Sequence, residues 1–174
     1  MITTNRLNIT TRVATDANVL INFIHLHQLE LLDRLETHGF IVPQRVIEEV
    51  TWDVQAEALS VAFQKGHLHP CDLDDDETED LYNGLCALVE PGEAACIAIA
   101  YVRGHAIATD EKGDAERIAT ELVGKARLLR TESILSRCIH AGLITVAEAD
   151  AFKATLATKR YAMKFASFAD LEAA

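Results

Sequence analysis

Five acids stand out for where they fall in the chain: Asp16, Glu49, Glu93, Asp110 and Asp114. Asp16 closes a short apolar run, and Asp110 closes another, "AIATD". Glu93 opens a small-residue helix after Pro91-Gly92, and Glu49 lies on the helix "QRVIEEV". If these carboxylates converge, they repel, by up to about 4 kcal/mol for a pair ~4 Å apart at an effective dielectric near 20. Convergence makes sense around a hard divalent cation, bound through a few oxygens and several waters. Such an ion can activate water and stabilise charge on a phosphoryl group.

Each acid also has a plain structural reading. Asp16 can cap the helix that follows it, worth about 1 kcal/mol. Glu93 sits in a first helical turn, where the helix dipole favours an acid by ~0.3–1 kcal/mol. On the helix around Val46, Ile47 and Val50, Glu49 lies nearer the buried edge and Glu48 nearer solvent, so Glu49 can reach over a sheet rim or stay solvated. Asp114 suits the N-cap of "AERIA". Asp110 is hardest to explain this way, because no helix starts directly after it.

The elements that must position these acids alternate. Strands are expected at Val13–Thr15, Phe40–Pro43, His67–Cys71 (edge-like), His105–Thr109 and Lys125–Arg130. Helical spacing runs from Val19 to a stop at Gly39, then from Val46, and over about 77–89, from Glu93 to Gly104, and over about 114–122, 132–141 and 146–158. Alternation implies right-handed crossovers and a parallel sheet with helices on both faces, a three-layer α/β/α domain. Ligands of such sheets bind outside the carboxyl ends of the strands, where Asp16 and Asp110 fall.

The bulk numbers fit one domain over residues 1–174, with a polar N-terminal extension (1–11) and a closing helical segment (146–174). The chain has 174 residues, 49% hydrophobic and 25% charged, which is ordinary for a domain with a real core. No apolar run approaches the ~18 residues of a membrane span, and nothing resembles a signal peptide, so a soluble cytoplasmic protein is expected. Cys71, Cys86, Cys96 and Cys138 form no CxxC pair and read as buried thiols. The net charge of −11 argues against a surface wholly devoted to nucleic acid, though not against a local basic groove. Lys153, Lys159, Arg160 and Lys164, interleaved with aromatics and no acid, could grip phosphates or an acidic partner, or simply belong to an amphipathic terminal helix. "DLDDDETED" fails the calcium-loop template at its Gly and Glu positions and reads as a solvated loop.

Four pieces in order, "TDANVLINF", "VPQRVIEEV", "GEAACIAIA" and "TDEKGD", resemble the PIN-domain ribonucleases, which include the VapC-type toxins of toxin–antitoxin pairs. The resemblance spans about 13–131, and the second piece and closing helices look most like a branch of uncharacterised PIN-like proteins. It implies a PIN-like fold and an endoribonuclease using Mg²⁺ or Mn²⁺, with Asp16, Glu49, Glu93 and Asp110 as catalytic acids. Asp16, Glu93, Asp110 and, loosely, Asp114 would ligate metal, supported by Asn18 and Thr131. Partners implied are an RNA substrate, a cognate antitoxin and a second copy of the chain as a homodimer. Arg130 and the pair Lys159/Arg160 are candidate contacts to RNA or a partner. Where the family often has Gly-Thr after strand five, this chain has Arg130-Thr131. That departure leaves a second reading, a PIN-like RNA- or protein-binding module without strong catalysis. A haloacid-dehalogenase-type phosphatase would want a second Asp where Asn18 stands.

Overall fold

The computed structural model describes residues 11–172. The N-terminal extension therefore lies outside the described residues except for Thr11, which opens the first strand. β1 (Thr11–Thr15) is the middle of a five-stranded parallel sheet, with β2 (His38–Pro43) and β3 (His69–Cys71) on one side and β4 (Ala106–Ala108) and β5 (Leu128–Leu129) on the other. The order is β3-β2-β1-β4-β5. Val13 pairs with Phe40 on one side and Ala106 on the other, and Thr15 pairs with Ala108. Val13, Ala14 and Thr15 are all fully buried, as expected for a parallel strand covered on both faces.

The direction of the chain reverses at β1. From β1 it moves outward through β2 to the edge strand β3, then returns to the other flank as β4 and β5. The crevice between the carboxyl ends of β1 and β4 is therefore the topological switch point, the usual ligand position in an open parallel sheet. Right-handed crossovers place α1 (Ala17–His25), α2 (Glu30–Arg34), α3 (Gln44–Glu49) and α4 (Asp53–Gln64) on one face. The same rule places α5 (Asp76–Leu85), α6 (Pro91–Arg103) and α7 (Asp114–Leu122) on the other. After β5, α8 (Thr131–His140), α9 (Val146–Thr158) and α10 (Phe168–Glu172) return to pack near α1.

α6 is the helix that crosses the sheet, touching β1, β2 and β4. Ala94, Ala95, Ala98 and Ala100 are fully buried on it. Small side chains let its backbone come close to the strands, which draws its first turn, with Glu93, toward the switch point.

The structure departs from the sequence expectations in a few places. The first helix does not run on to Gly39. His27 takes a left-handed backbone (φ 54°), and the amides of His27 and Gln28 bond back to the carbonyls of Ile24 and Phe23. The chain re-enters a helix at α2, an offset that keeps Leu31, Leu32 and Leu35 buried. The fifth strand shrinks to Leu128–Leu129, because a 3₁₀ turn takes up Lys125–Arg127 after Gly124 (φ 95°). The acidic run is only partly a loop: Asp75 caps α5 at the amide of Thr78, and Asp74 and Asp75 bind Arg103. Of the cysteines, Cys96 and Cys138 are buried, but Cys71 is half-buried and Cys86 exposed; all four are free. Among the described residues no helix is long and apolar enough to cross a membrane.

Close approach of α6 makes a test of this packing. Ala98→Leu inserts three carbons where α6 meets the sheet and should lower the urea midpoint, costing about 1–3 kcal/mol. An unchanged midpoint would show that the helix can lift off without penalty.

Candidate active site

Asp16 is the first residue past β1 and is 4% exposed. It does cap α1: its Oδ1 accepts from the amide of Ala17 at 2.9 Å. Its own amide donates to the carbonyl of Ala108, which locks it against the end of β4. Its Oδ2 accepts from the Thr109 hydroxyl at 3.3 Å. Burial pushes the Asp16 carboxyl up to about 7, and Glu93, Glu49 and Glu111 push in the same direction; only the Ala17 amide opposes. The charges that act on Asp16 are thus acidic.

Glu93 lies in the first turn of α6. It closes a capping box with Glu90, its Oε2 accepting from the Glu90 amide at 3.2 Å. Burial raises its pKa, with Glu111, Glu90 and Glu49 adding to the rise against the Glu90 amide. Glu49 reaches across from the last turn of α3 and accepts from the Gly92 amide at 2.6 Å. Its pKa too is raised, first by burial and then by Glu90, against the Gly92 bond. Gly92 is required here for space: a Cβ on it would stand 2.3 Å from the Glu49 Oε2. Glu48, by contrast, faces out and pairs with Arg45.

Glu111 is the acid that sequence reasoning missed. Asn18 donates to its Oε1 at 2.8 Å, and the Asn18 carbonyl oxygen accepts from the Asp110 amide at 3.2 Å. Thr109 links the same two elements, accepting from the Glu111 amide while donating to Asp16. The signal was present in the sequence, since Glu111 directly follows the Asp110 that the family pieces had picked out.

Asp110 does something different. Its Oδ1 accepts from the Thr131 amide at 2.9 Å and the Tyr161 hydroxyl at 2.7 Å. Its Oδ2 accepts from Asn22 at 2.9 Å and from the Thr131 hydroxyl. A carboxylate has about four acceptor positions; Asn22 and Thr131 fill three of those on Asp110, and the single Tyr161 proton is shared between Asp110 and Glu132. Asp110 is not among the charges acting most on Asp16. Thr131, fully buried, donates from both its amide and its hydroxyl to Asp110, and its hydroxyl oxygen accepts from Asn22 at 3.2 Å. Asp114 stands at the exposed start of α7, paired with Arg117. Arg130 turns to Glu116 and to the carbonyl of Asp110, bracing the loop after β4. Lys159 and Arg160 part company: Lys159 lines a hollow with His25 and Trp52, while Arg160 lines a groove beside Asp110 and Glu111. Asn22 and Tyr161 were not anticipated. Asn22 lies one helical turn beyond Asn18, the spacing that shares a helix face.

The chain matches the model of a family described as PIN domain over residues 12–163. It belongs to the PIN-domain family. PIN domains are in general nucleases, and such nucleases generally use divalent metals. A search of curated proteins finds no match. Among solved structures the chain is similar to one in the crystal structure of VapBC2 from Rickettsia felis bound to a DNA fragment from their promoter. That match has 13% identity and a TM-score of 0.49, and covers 69% of this chain and 98% of the other.

The oxygen donors of this PIN domain suit a hard cation, but only with waters. Among the described residues no three of its acids, histidines or cysteines stand close enough to grip one ion directly. Mg²⁺ and Mn²⁺ do not need that; they are commonly bound through one or two carboxylates and several waters. Asp16, with one loosely held oxygen, and Glu93, with its carboxylate tied by a single amide, fit that mode.

The raised Asp16 carboxyl gives a signed pH test. A group whose pKa rises on folding binds protons in the native state that the unfolded chain has released. Its contribution to stability therefore falls as pH climbs from 3.8 to about 7, and is flat above. Asp16→Asn keeps the cap and removes the charge. In metal-free buffer it should melt several degrees above wild type at pH 8, with the gap shrinking toward pH 5. A gap independent of pH would mean that Asp16 carries no such penalty. Gly92→Ala tests Glu49 separately. It should leave the melting temperature close to wild type, since only the flexible end of Glu49 must move, while weakening Mn²⁺ stabilisation of the fold.

Proposed function

We propose that this PIN domain is a metal-dependent endoribonuclease whose site is built from Asp16, Glu93, Glu49 and Glu111, with Mg²⁺ or Mn²⁺ as cofactor. The observation that carries the reading is the Asp16 carboxyl, buried at the switch point and pressed by three other acids. Such a cluster is unfavourable unless something positive completes it. Arg130, the residue that departs from the family pattern, is engaged by Glu116 and does not fill that role.

When bound, a divalent ion would supply Lewis-acid charge stabilisation and a water of lowered pKa. The chain's own residues do the positioning. Asp16 and Glu93 would hold the ion. Glu49, fixed by the Gly92 amide, would hold one of its waters, and Glu111, oriented by Asn18, would hold another on the side facing open solvent. Asp110 acts one step back. By binding Thr131, Asn22 and Tyr161 it fixes the loop that carries Glu111. The resemblance to VapC-type toxins extends the proposal to a toxin held by an antitoxin protein, which a small adjacent reading frame would support.

The two kinds of acid should separate in a single panel. Asp16→Asn, Glu93→Gln and Glu111→Gln should each cut Mn²⁺-dependent cleavage of single-stranded RNA by at least about 10- to 100-fold while the protein stays folded. Asp110→Asn should instead lower the melting temperature, because the NH2 of an amide cannot accept the bonds that a carboxylate oxygen accepts, and unpaired buried groups cost about 1–3 kcal/mol each. Wild-type RNA cleavage that persists undiminished in Asp16→Asn would overturn the assignment.

A further inference from the structure

Beside the acid site lies a groove of about 930 Å³, walled by α8 and by the non-helical stretch that follows α9. It shares Asp110 and Glu111 with the site and then runs past Lys112, Arg137, Arg160 and Lys164. Five lysines and arginines line it; Arg130 pairs with Glu116, and the other four gather on one surface without a carboxylate partner, which Lys65 and Arg127 lack only singly elsewhere among the described residues. The chain has 27 acids against 16 lysines and arginines, so a surface cation can readily find a partner. Arg34, Arg45, Arg103 and Arg117, outside the groove, are each ion-paired with a carboxylate. Among the described residues no carboxylate pairs with Lys112, Arg137, Arg160 or Lys164. The acids on the groove wall are engaged elsewhere: Asp110 by Asn22 and Thr131, Glu111 by Asn18, and Asp110 and Glu132 together by the single Tyr161 hydroxyl.

The wall is also held in shape. Arg160 takes a left-handed backbone, φ 67°, which costs a side-chain-bearing residue on the order of 1 kcal/mol or more. That reversal ends the course of α9 and sends Tyr161 to Asp110 and Glu132. Further on, Phe168 is fully buried, and its amide and the Ser167 hydroxyl bind Asp150. Residues 160–167 thus form a strap fixed at both ends, which carries Arg160 and Lys164 in place instead of leaving them on a loose tail.

We propose that this groove is a binding track for the phosphate backbone of a single RNA strand, leading a phosphodiester to Glu111 and the acid cluster. The direction of the track rests on the nuclease reading above; the binding itself does not. Unpaired cations are what a polyanion requires, because each phosphate neutralised releases counterions. One groove of this volume suits a few nucleotides of one strand, whereas duplex RNA is read across two successive minor grooves. The small size of the track agrees with the strongly negative net charge, which opposes broad nucleic-acid binding and leaves only a local positive path.

The test is fluorescence anisotropy with a 5′-labelled, cleavage-resistant 2′-O-methyl single strand of 12 nucleotides and metal-free protein, titrated with salt. The groove variants are Arg137→Glu/Lys164→Glu and the milder Lys112→Gln/Arg160→Gln. The control is Lys65→Glu/Lys125→Glu, two exposed lysines outside the groove that precede β3 and β5, at the amino-terminal edge of the sheet. Thermal melts check that each is folded. The groove variants should bind at least tenfold more weakly at 50 mM salt. The salt slope should fall by about 1.4 for two lost phosphate contacts on a single strand, with the control unchanged. Equal affinity and slope in groove and control variants would overturn the track. So would binding of poly-glutamate in place of the oligonucleotide, which would assign the groove to an acidic protein segment. Cleavage by the wild type is measured separately with Mn²⁺. Groove-dependent binding without any cleavage would sink the nuclease and keep the track, while cleavage indifferent to the groove would do the reverse.

Discussion

A carboxylate buried where it is least comfortable organises this molecule. Asp16 sits at the end of the central strand, out of solvent, with three acids pressing on its charge. Nothing in the packing compels that arrangement. An Asn at the same position would cap α1 equally well and relieve the repulsion. The surrounding structure holds the conflict in place through backbone contacts: the Asp16 amide on Ala108, the Gly92 amide on Glu49, and the capping box at the start of α6. Asp16, Glu49 and Glu93 each accept from a backbone amide, which holds them beside their neighbours.

Positioning and charge are divided between two adjacent residues. Glu111 faces the acid cluster through Asn18, and Asp110 turns inward to tie β4, α1, α8 and the C-terminal strap together. A carboxylate that accepts three bonds and shares the proton of a fourth donor acts as a structural joint. The strap depends on that joint, because the Tyr161 hydroxyl on Asp110 is what brings its basic residues alongside the site. A single hydrogen-bond hub therefore relates the acid cluster, proposed to take a cation, to the basic groove, proposed to take an anion. Those opposite demands a few residues apart are what a phosphodiester and its metal would jointly meet.

Much of the architecture was legible in the chain. Short apolar runs bounded by helical spacing gave the parallel sheet, the edge strand and the closing helix Val146–Thr158, because burial on both faces leaves a clear apolar signature. The break at His27 was not legible, since Leu29, Leu32 and Leu35 continue the helical period across it. The short fifth strand was equally hidden, because Lys125–Arg127 carries no residue that forbids a strand.

At the site, the sequence by itself determined which residue types were available and near which strand ends: Asp16, Glu49, Glu93 and the pair Asp110-Glu111. Spacing along a strand or helix fixes these, since successive side chains obey a local period. Only the tertiary structure decided which acid of the pair faces the cluster. That choice turns on Asn18, Asn22, Thr131 and Tyr161, which come from three distant segments and hold Asp110 by hydrogen bonds to its amide and its carboxylate. The division of Lys159 from Arg160 has the same origin. Neighbours in sequence were sent to opposite sides of a wall by one left-handed residue, and no local pattern in the chain records where that turn will point.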